Sequence, residues 1–438
     1  MEWYLSLSLV IVLLLALFAS GLQVALVFIL IDVAGLYLVV GGWPALSLLP
    51  GSIINSIASY PLGAVPLFVL MGEILFRSGV AGQVLDALGK WIGALPARLS
   101  LVTVVGAAVF GAISGSSMAT TATLSATLAP EMKARGYSPE MIAGPIIGAG
   151  GLAMIIPPSA MAVLLGTIAQ ISIGHLLIGG IVPGLLIAAG YLLVILLRVW
   201  LNPGLVPDEV YVPPTLRQRL QTLNLLIPVG FLLFMVLGLM FLGIATPSES
   251  AALGALAAFV VAAAYGRLSL EAMKISVTET VKITAGIFLI IAGSAAFSQV
   301  LAFTGATRGL VNLITQLDIA PLTVVFFMML VLIIMGMFMD QISMMLITLP
   351  VYMPIIISLG LDPLWFGIIV LINLEVANET PPFGVLLYIG QSFMPGYGTI
   401  EIIKAVIPFT IVDLVVIGLL LVWSDVALWL PRLMSTAG

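Results

Sequence analysis

Apolar runs of about 20 residues, each long enough to cross a hydrocarbon core of about 30 Å, alternate with short polar or Gly/Pro-rich breaks along nearly the whole chain. Read as helices, the runs fall at about 3–19, 22–41, 57–77, 176–200, 222–244, 247–266, 280–303 and 401–424. Two stretches, 139–169 and 363–391, are long enough to span but carry a diproline, at Pro157-Pro158 and Pro381-Pro382, and are predicted to be broken helices. Two others, 99–134 and 321–359, are interrupted at Ser114–Ser117 and at Asp340. The pieces on either side are too short to cross twice as full spans, so each pair is predicted to dip into the membrane and return as a re-entrant hairpin. The alternating pattern of a membrane β-barrel is not found. The predicted fold class is an all-α polytopic membrane protein.

The punctuation repeats. Pro130 matches Pro354, Gly136 matches Gly360, Pro139 matches Pro363, and the two diprolines match each other, all at an offset of 224 residues. An earlier pair, "FRSGVAGQVLDAL" from Phe76 and "FTGATRGLVNLI" from Phe303, fits at an offset near 227. The chain therefore reads as two related halves, 1–200 and 222–438, joined by a Pro-rich, charged linker at 201–221. With a hairpin counted as no crossing, five crossings separate Pro139 from Pro363, and an odd number makes the repeat inverted. The basic residues give the orientation. Arg77, Lys90, Arg98, Lys133, Arg135, Arg198, Arg217, Arg219, Arg267 and Lys274 fall on one side of this drawing, against Arg308 and Arg432 on the other. The positive-inside rule makes the first side cytoplasmic and places both termini outside. The apolar segment from Trp3 to Phe18 lacks a basic flank and is read as a first span rather than a cleaved signal.

Composition narrows the chemistry. The chain is 62% hydrophobic and 8% charged, with a net charge of −5, so membrane lipid is its main surroundings and no basic patch suggests nucleic acid. No cysteine is present, which excludes disulfides, thiolate metal sites and a cysteine nucleophile. Against that background "FGAISGSSMATTATLSATLAP", residues 110–130, is anomalous, with eight hydroxyl side chains and glycines at 111 and 115. Inverted repeats with broken helices are the architecture of secondary transporters, whose sites lie where the backbone is interrupted. "SGSS" at 114–117 is read as the tip of the first hairpin. Gly111 and Gly115 permit close backbone approach there, and Ser116 and Ser117 supply oxygens at a helix start. Thr123, Ser125 and Thr127 are read as small packing residues. A second polar tip, "MDQIS" at 339–343, stands at the symmetry-related place. The diprolines should unwind each broken helix and free carbonyls, making Pro157, Pro158, Pro381 and Pro382 candidates for the substrate site. The second break also carries Asn373, Glu375, Asn378, Glu379 and Thr380; Glu375 and Glu379 join the substrate candidates, because acidic groups at membrane depth are functional by default. Asp32, Glu73, Glu249 and Asp413 also fall in or beside spans.

"FGAISGSSMATTATL", "PEMKARGYSPEMIAGPIIGAGGLAMIIPPS", "GIATPSESAALGA" and "NLEVANETPPFG", in that order, resemble the large membrane subunit of tripartite ATP-independent periplasmic (TRAP) transporters. The likeness covers nearly the whole chain. It implies a sodium-driven importer of organic acids in the bacterial inner membrane, working by an elevator motion, with a small four-helix membrane subunit and a periplasmic substrate-binding protein as partners. Sodium would be the co-transported ion, with no organic cofactor and no other metal. The resemblance places one sodium site at Ser114, Ser116, Ser117 and the backbone near Gly150 and Gly151, and a second at Met339, Asp340, Asn378 and Thr380. "ANE" at 377–379 departs from the family's commoner apolar pattern before "TPP", which bears on the substrate more than on the mechanism. With no additional N-terminal helices in the sequence, the small subunit is expected as a separate polypeptide.

Rival readings are weaker. No G-x-x-x-x-G-K-[ST] loop is present for an ATP-driven pump. An intramembrane serine enzyme would need a base, and the one histidine, His175, falls at the outer end of a span. A channel predicts a continuous pore rather than two dead-end hairpins. A standalone sodium/anion symporter of similar fold is the nearest alternative. The orientation has a direct check: Arg217→Cys, in a chain without native cysteines, should stay unlabelled by an impermeant maleimide added outside sealed cells, and labelling there would reverse the topology.

Overall fold

In the computed structural model, residues 3–93, 95–207, 214–317, 319–382 and 384–437 are described, and every regular element among them is a helix. Seven of the described helices are long and apolar enough to cross a membrane, or nine when each bent pair is taken as one span. Large apolar side chains such as Leu9, Val12 and Leu15 are exposed along the first helix, Trp3–Ala19, as lipid-facing positions require.

The drawn interruptions are present. The first hairpin consists of Arg98–Ser114 and Ser117–Ala134, the second of Pro321–Gly336 and Gln341–Ser358. The first broken helix runs Pro139–Gly150, Leu152–Ile155 and Ala160–Ile168, with a bend of 47°. The second runs Pro363–Glu379 and resumes at Val385–Ser392. These broken helices form the centre of the molecule: every residue from Met141 to Gly150 and from Trp365 to Glu379 is buried. Glycines let the backbones close in. A Cβ on Gly111 would stand 2.8 Å from Ala153 Cα, and one on Gly72 would stand 2.8 Å from the Ser114 carbonyl oxygen. Gly144 and Gly148 likewise receive the Phe409 ring from the last long span, Thr399–Val422.

Equivalent positions in the two halves carry equivalent backbone. Gly79 and Gly305, at φ +70° and +72°, open Val80–Ile92 and Ala306–Gln316; Gly136 and Gly360, at φ +89° and +68°, end the second arm of each hairpin. Ser138 and Asp362 precede the first helical prolines, Pro139 and Pro363.

Several boundaries differ from the sequence reading. The span drawn at 280–303 starts ten residues earlier, as Leu270–Gly293, because Ser269 caps it by accepting from the Ala272 N–H at 3.0 Å. Its first turns carry Glu271, Lys274, Glu279 and Lys282, which mask it in an apolar window. The linker ends at Thr215, which forms a capping box with Gln218 at the head of Leu216–Leu233; 216–221 is therefore helix, and the linker positions 208–213 lie outside the described residues. Leu48–Ile57, Val80–Ile92, Ala306–Gln316 and Asp425–Ala437 were not drawn, being too short or too amphipathic to read as spans.

The glycine contacts make a testable claim. Gly111→Val should force the first hairpin off the first broken helix and lower stability by about 1–3 kcal/mol. Gly286→Ala, with no atom within 4 Å of the added Cβ, should leave the unfolding temperature unchanged or raise it. Thermal unfolding of the purified protein compares the two.

Candidate functional site

At the first tip Gly115 takes the left-handed conformation, φ +61°, and its N–H closes the first arm on the Gly111 carbonyl at 2.8 Å. Gly115 is needed here twice, since a Cβ would also meet the Pro158 carbonyl at 3.1 Å: the turn lies directly against the break in the first broken helix. Ser116 then caps the second arm, its hydroxyl accepting from the Ala119 N–H at 3.3 Å. Ser114 shares a 2.9 Å hydrogen bond with Thr120. The Ser117 hydroxyl donates to Glu375 Oε2 at 3.0 Å, across 258 residues of sequence.

The Glu375 contact ties the tip to both broken helices. Glu375 is 1% exposed, and a Cβ on Gly151 would overlap its side chain, while a Cβ on Gly150 would overlap the Thr121 hydroxyl. Beside the tip lies a cavity of about 120 Å³, bordered by Gly72, Glu73, Ser116, Met154 and, from the second hairpin, Gln341. Gln341 Nε2 donates to the Leu374 carbonyl at 3.4 Å within the second half and lies 3.9 Å from Met154 Sδ of the first broken helix, which is its contact across the halves. From sequence, Glu73 stands only as an acid in or beside a span and Gln341 only as part of the second tip, and Thr121 has no role of its own. Thr121 follows Ser117 by one helical turn, which is the signal that could have found it.

The second tip repeats the device with a charged residue. Asp340 caps Gln341–Ser358, its Oδ2 accepting from the N–H groups of Ile342 at 3.0 Å and Ser343 at 3.1 Å, and its Oδ1 accepting from the Ser343 hydroxyl. Gly336, three residues before Met339, lies so close to Ala377 that a Cβ would overlap it, which brings this tip against the segment carrying Asn378. Asn378 is 3% exposed, and its Nδ2 has no partner. The Thr380 hydroxyl donates to the Val376 carbonyl at 2.6 Å and keeps its lone pairs. No hydrogen bond joins Met339 or Asp340 to Asn378 or Thr380 among the described residues.

The substrate candidates do not share one wall. Pro157 and Pro158 sit under the first tip with Glu375 nearby, whereas Glu379 turns to the last long span and accepts from the Thr410 hydroxyl at 3.2 Å. Pro382 accepts from the Tyr388 hydroxyl at 2.8 Å. The other acids have separate roles. Asp32 accepts from the Ala296 N–H at 2.9 Å, Asp413 accepts from the Tyr191 hydroxyl at 2.7 and 2.8 Å, Glu73 pairs with Arg77 at 3.0 Å, and Glu249 completes the capping box with Thr246.

The arrangement offers neutral hydroxyl, carbonyl and carboxylate oxygens, a donor set suited to a hard cation, and two helix N-termini facing the breaks, suited to an anion. The family model described as "Tripartite ATP-independent periplasmic transporter, DctM component" matches residues 11–426. The chain belongs to this family. It is thus the transporter's multi-pass membrane component and not an enzyme. The C4-dicarboxylate TRAP transporter large permease protein DctM of Pseudomonas aeruginosa is 31% identical, over 85% of this chain and 86% of that one. The ectoine/5-hydroxyectoine TRAP transporter large permease protein UehC of Ruegeria pomeroyi is 30% identical, over 84% and 86%. The fold is also that of the YdaH transporter of Alcanivorax borkumensis, with a TM-score of 0.66 at 15% identity, covering 88% of this chain and 90% of that one.

Proposed function

We propose that this TRAP membrane component imports an organic acid into the cell by sodium coupling. The substrate would be delivered from a periplasmic binding protein, and a separate small membrane subunit would complete the assembly. The observation that carries the sodium reading is the first tip, where Ser114, Ser116 and Ser117 converge with a buried carboxylate beside Gly150 and Gly151. The second candidate site, at Met339, Asp340, Asn378 and Thr380, stands one repeat later, with Asp340 as the cap in place of a serine. An anionic substrate fits between the tips, where Ser117–Ala134 and Gln341–Ser358 present their positive ends. The two relatives are named for different solutes, a C4-dicarboxylate and ectoine, at nearly the same identity, so likeness does not choose the solute here.

For the motion we propose an elevator. The hairpins and broken helices pack through glycine contacts, and Val80–Ile92 and Ala306–Gln316 stand at matching places in the halves as connecting arms. Cytoplasmic basic residues and outside termini in an inner membrane complete the orientation. The standalone symporter is the second reading, and membership of a tripartite family weighs against it.

Two outcomes are expected in proteoliposomes supplied with the loaded binding protein. Uptake should need an inward sodium gradient and no ATP; full uptake without sodium on either side would overturn the coupling. Ser117→Ala should weaken apparent sodium affinity roughly 5- to 150-fold, the equivalent of about 1–3 kcal/mol for a lost ligand oxygen in a desolvated site. Ser116→Ala should do likewise, with an added loss of about 0.5–2 kcal/mol of stability from the missing cap. Ser125→Ala is the packing control. Sodium curves for both tip variants that overlay this control would leave the serines as packing residues.

A further inference from the structure

Two polar atoms at the first tip are buried without a hydrogen bond of their own, Glu375 Oε1 and Thr121 Oγ1, although the Gln341 amide lies beside the Glu375 carboxyl group. Their residues are 1% and 0% exposed, and they come from opposite halves of the chain. They flank the same two residues, Glu375 against Gly151 and Thr121 against Gly150, at positions where a Cβ on either glycine would overlap the oxygen-bearing side chain. A buried carboxyl oxygen with no donor, set beside a buried hydroxyl with no partner, is costly unless a proton or a cation satisfies it. No basic side chain pairs with Glu375 among the described residues. The other Glu375 oxygen already accepts from Ser117, itself a tip residue.

We propose that Glu375 and Thr121 are ligands of the cation at the first tip, Glu375 being an anionic ligand that the second half of the chain supplies to a site otherwise built by the first. This rests on the sodium reading of that tip and extends it. The site becomes a joint between the repeats: sodium held there would bind the first hairpin, the first broken helix and the second broken helix together. It also gives the two adjacent glycines a function, since a side chain on Gly150 or Gly151 would displace the ligand from the opposite wall.

The test uses the complex with its small subunit. Sodium dependence is read twice, as initial uptake and as the rise in unfolding temperature when sodium replaces choline. Glu375→Gln keeps the shape and an acceptor for Ser117 but removes the charge, and should weaken sodium about 10- to 100-fold in both readouts. Thr121→Val is nearly isosteric and should weaken it several-fold. If Thr121 holds no cation, removing an unpaired buried hydroxyl should instead raise the unfolding temperature and leave the sodium curve in place. Asp413→Asn, another buried carboxylate, should not move the sodium curve. Should Ser116→Ala and Ser117→Ala weaken sodium while Glu375→Gln and Thr121→Val overlay the wild type, the tip site stands and the ligand assignment is overturned. Should all four overlay it, the sodium reading itself fails. If Glu375→Gln does not fold, Thr121→Val decides.

Discussion

In a hydrocarbon interior every backbone N–H and C=O must find a partner within the protein, and a helix that stops halfway across leaves up to four of each exposed. This chain stops halfway repeatedly, and the rest of the structure is arranged around satisfying those ends. Ser116 and Asp340, 224 residues apart, cap the second arms of the hairpins; Ser159 caps the resumed half of the first broken helix, accepting from the Ala162 N–H at 3.2 Å. Asp32 takes the free N–H of Ala296 where Leu270–Gly293 gives way to Phe297–Phe303. Each is a side-chain oxygen placed where a backbone donor is orphaned, so most of the polar residues that look misplaced in so apolar a sequence are answering one constraint.

Satisfying the ends is not sufficient, because interrupted helices also need close packing to hold their position. The glycines supply it. Gly72, Gly111 and Gly336 each lie where a Cβ would meet another element at less than 3.0 Å, and in each case one partner belongs to a hairpin. Close backbone approach brings dispersion contacts that lipid cannot replace. It also brings free carbonyls such as that of Pro158 within reach of a tip, so the packing that holds the interruptions assembles the oxygens of the site.

Much of this was legible in the sequence because it depends on local signals. Prolines, glycines and hydroxyls at a fixed offset are backbone instructions, and they located both hairpins and both broken helices, with Ser116 and Ser117 at a helix start. Short amphipathic helices were missed because a half-polar segment of 11 or 13 residues carries no spanning signal. The cross-half contacts were invisible for a different reason. Nothing near Glu375 in sequence says that it meets Ser117 rather than the second break; its destination is set by the packing of Pro363–Glu379 across the first hairpin. Thr121 was lost among neighbouring hydroxyls, several of which bond within their own helix, as Thr123 does to the Ala119 carbonyl at 2.7 Å.

The two tips are related by sequence yet differ in charge, and the difference explains the placement of Glu375. The first cap is a neutral serine and the second is an aspartate whose oxygens are engaged by Ile342 and Ser343. A repeat conserving only backbone geometry would leave the first tip without a carboxylate. Glu375 supplies one from across the molecule, so each tip has one buried or half-buried carboxylate, one from within its own hairpin and one from the opposite half. A helix N-terminus carries about half a positive charge, and a nearby carboxylate offsets it. Asp340 does this by direct capping, which ties its oxygens to the helix. Glu375 does it at one remove, through Ser117, and keeps an oxygen unengaged. Two tips of one design are therefore not equivalent: the second is closed by its own cap, and the first retains an unengaged carboxyl oxygen facing the glycines of the first broken helix.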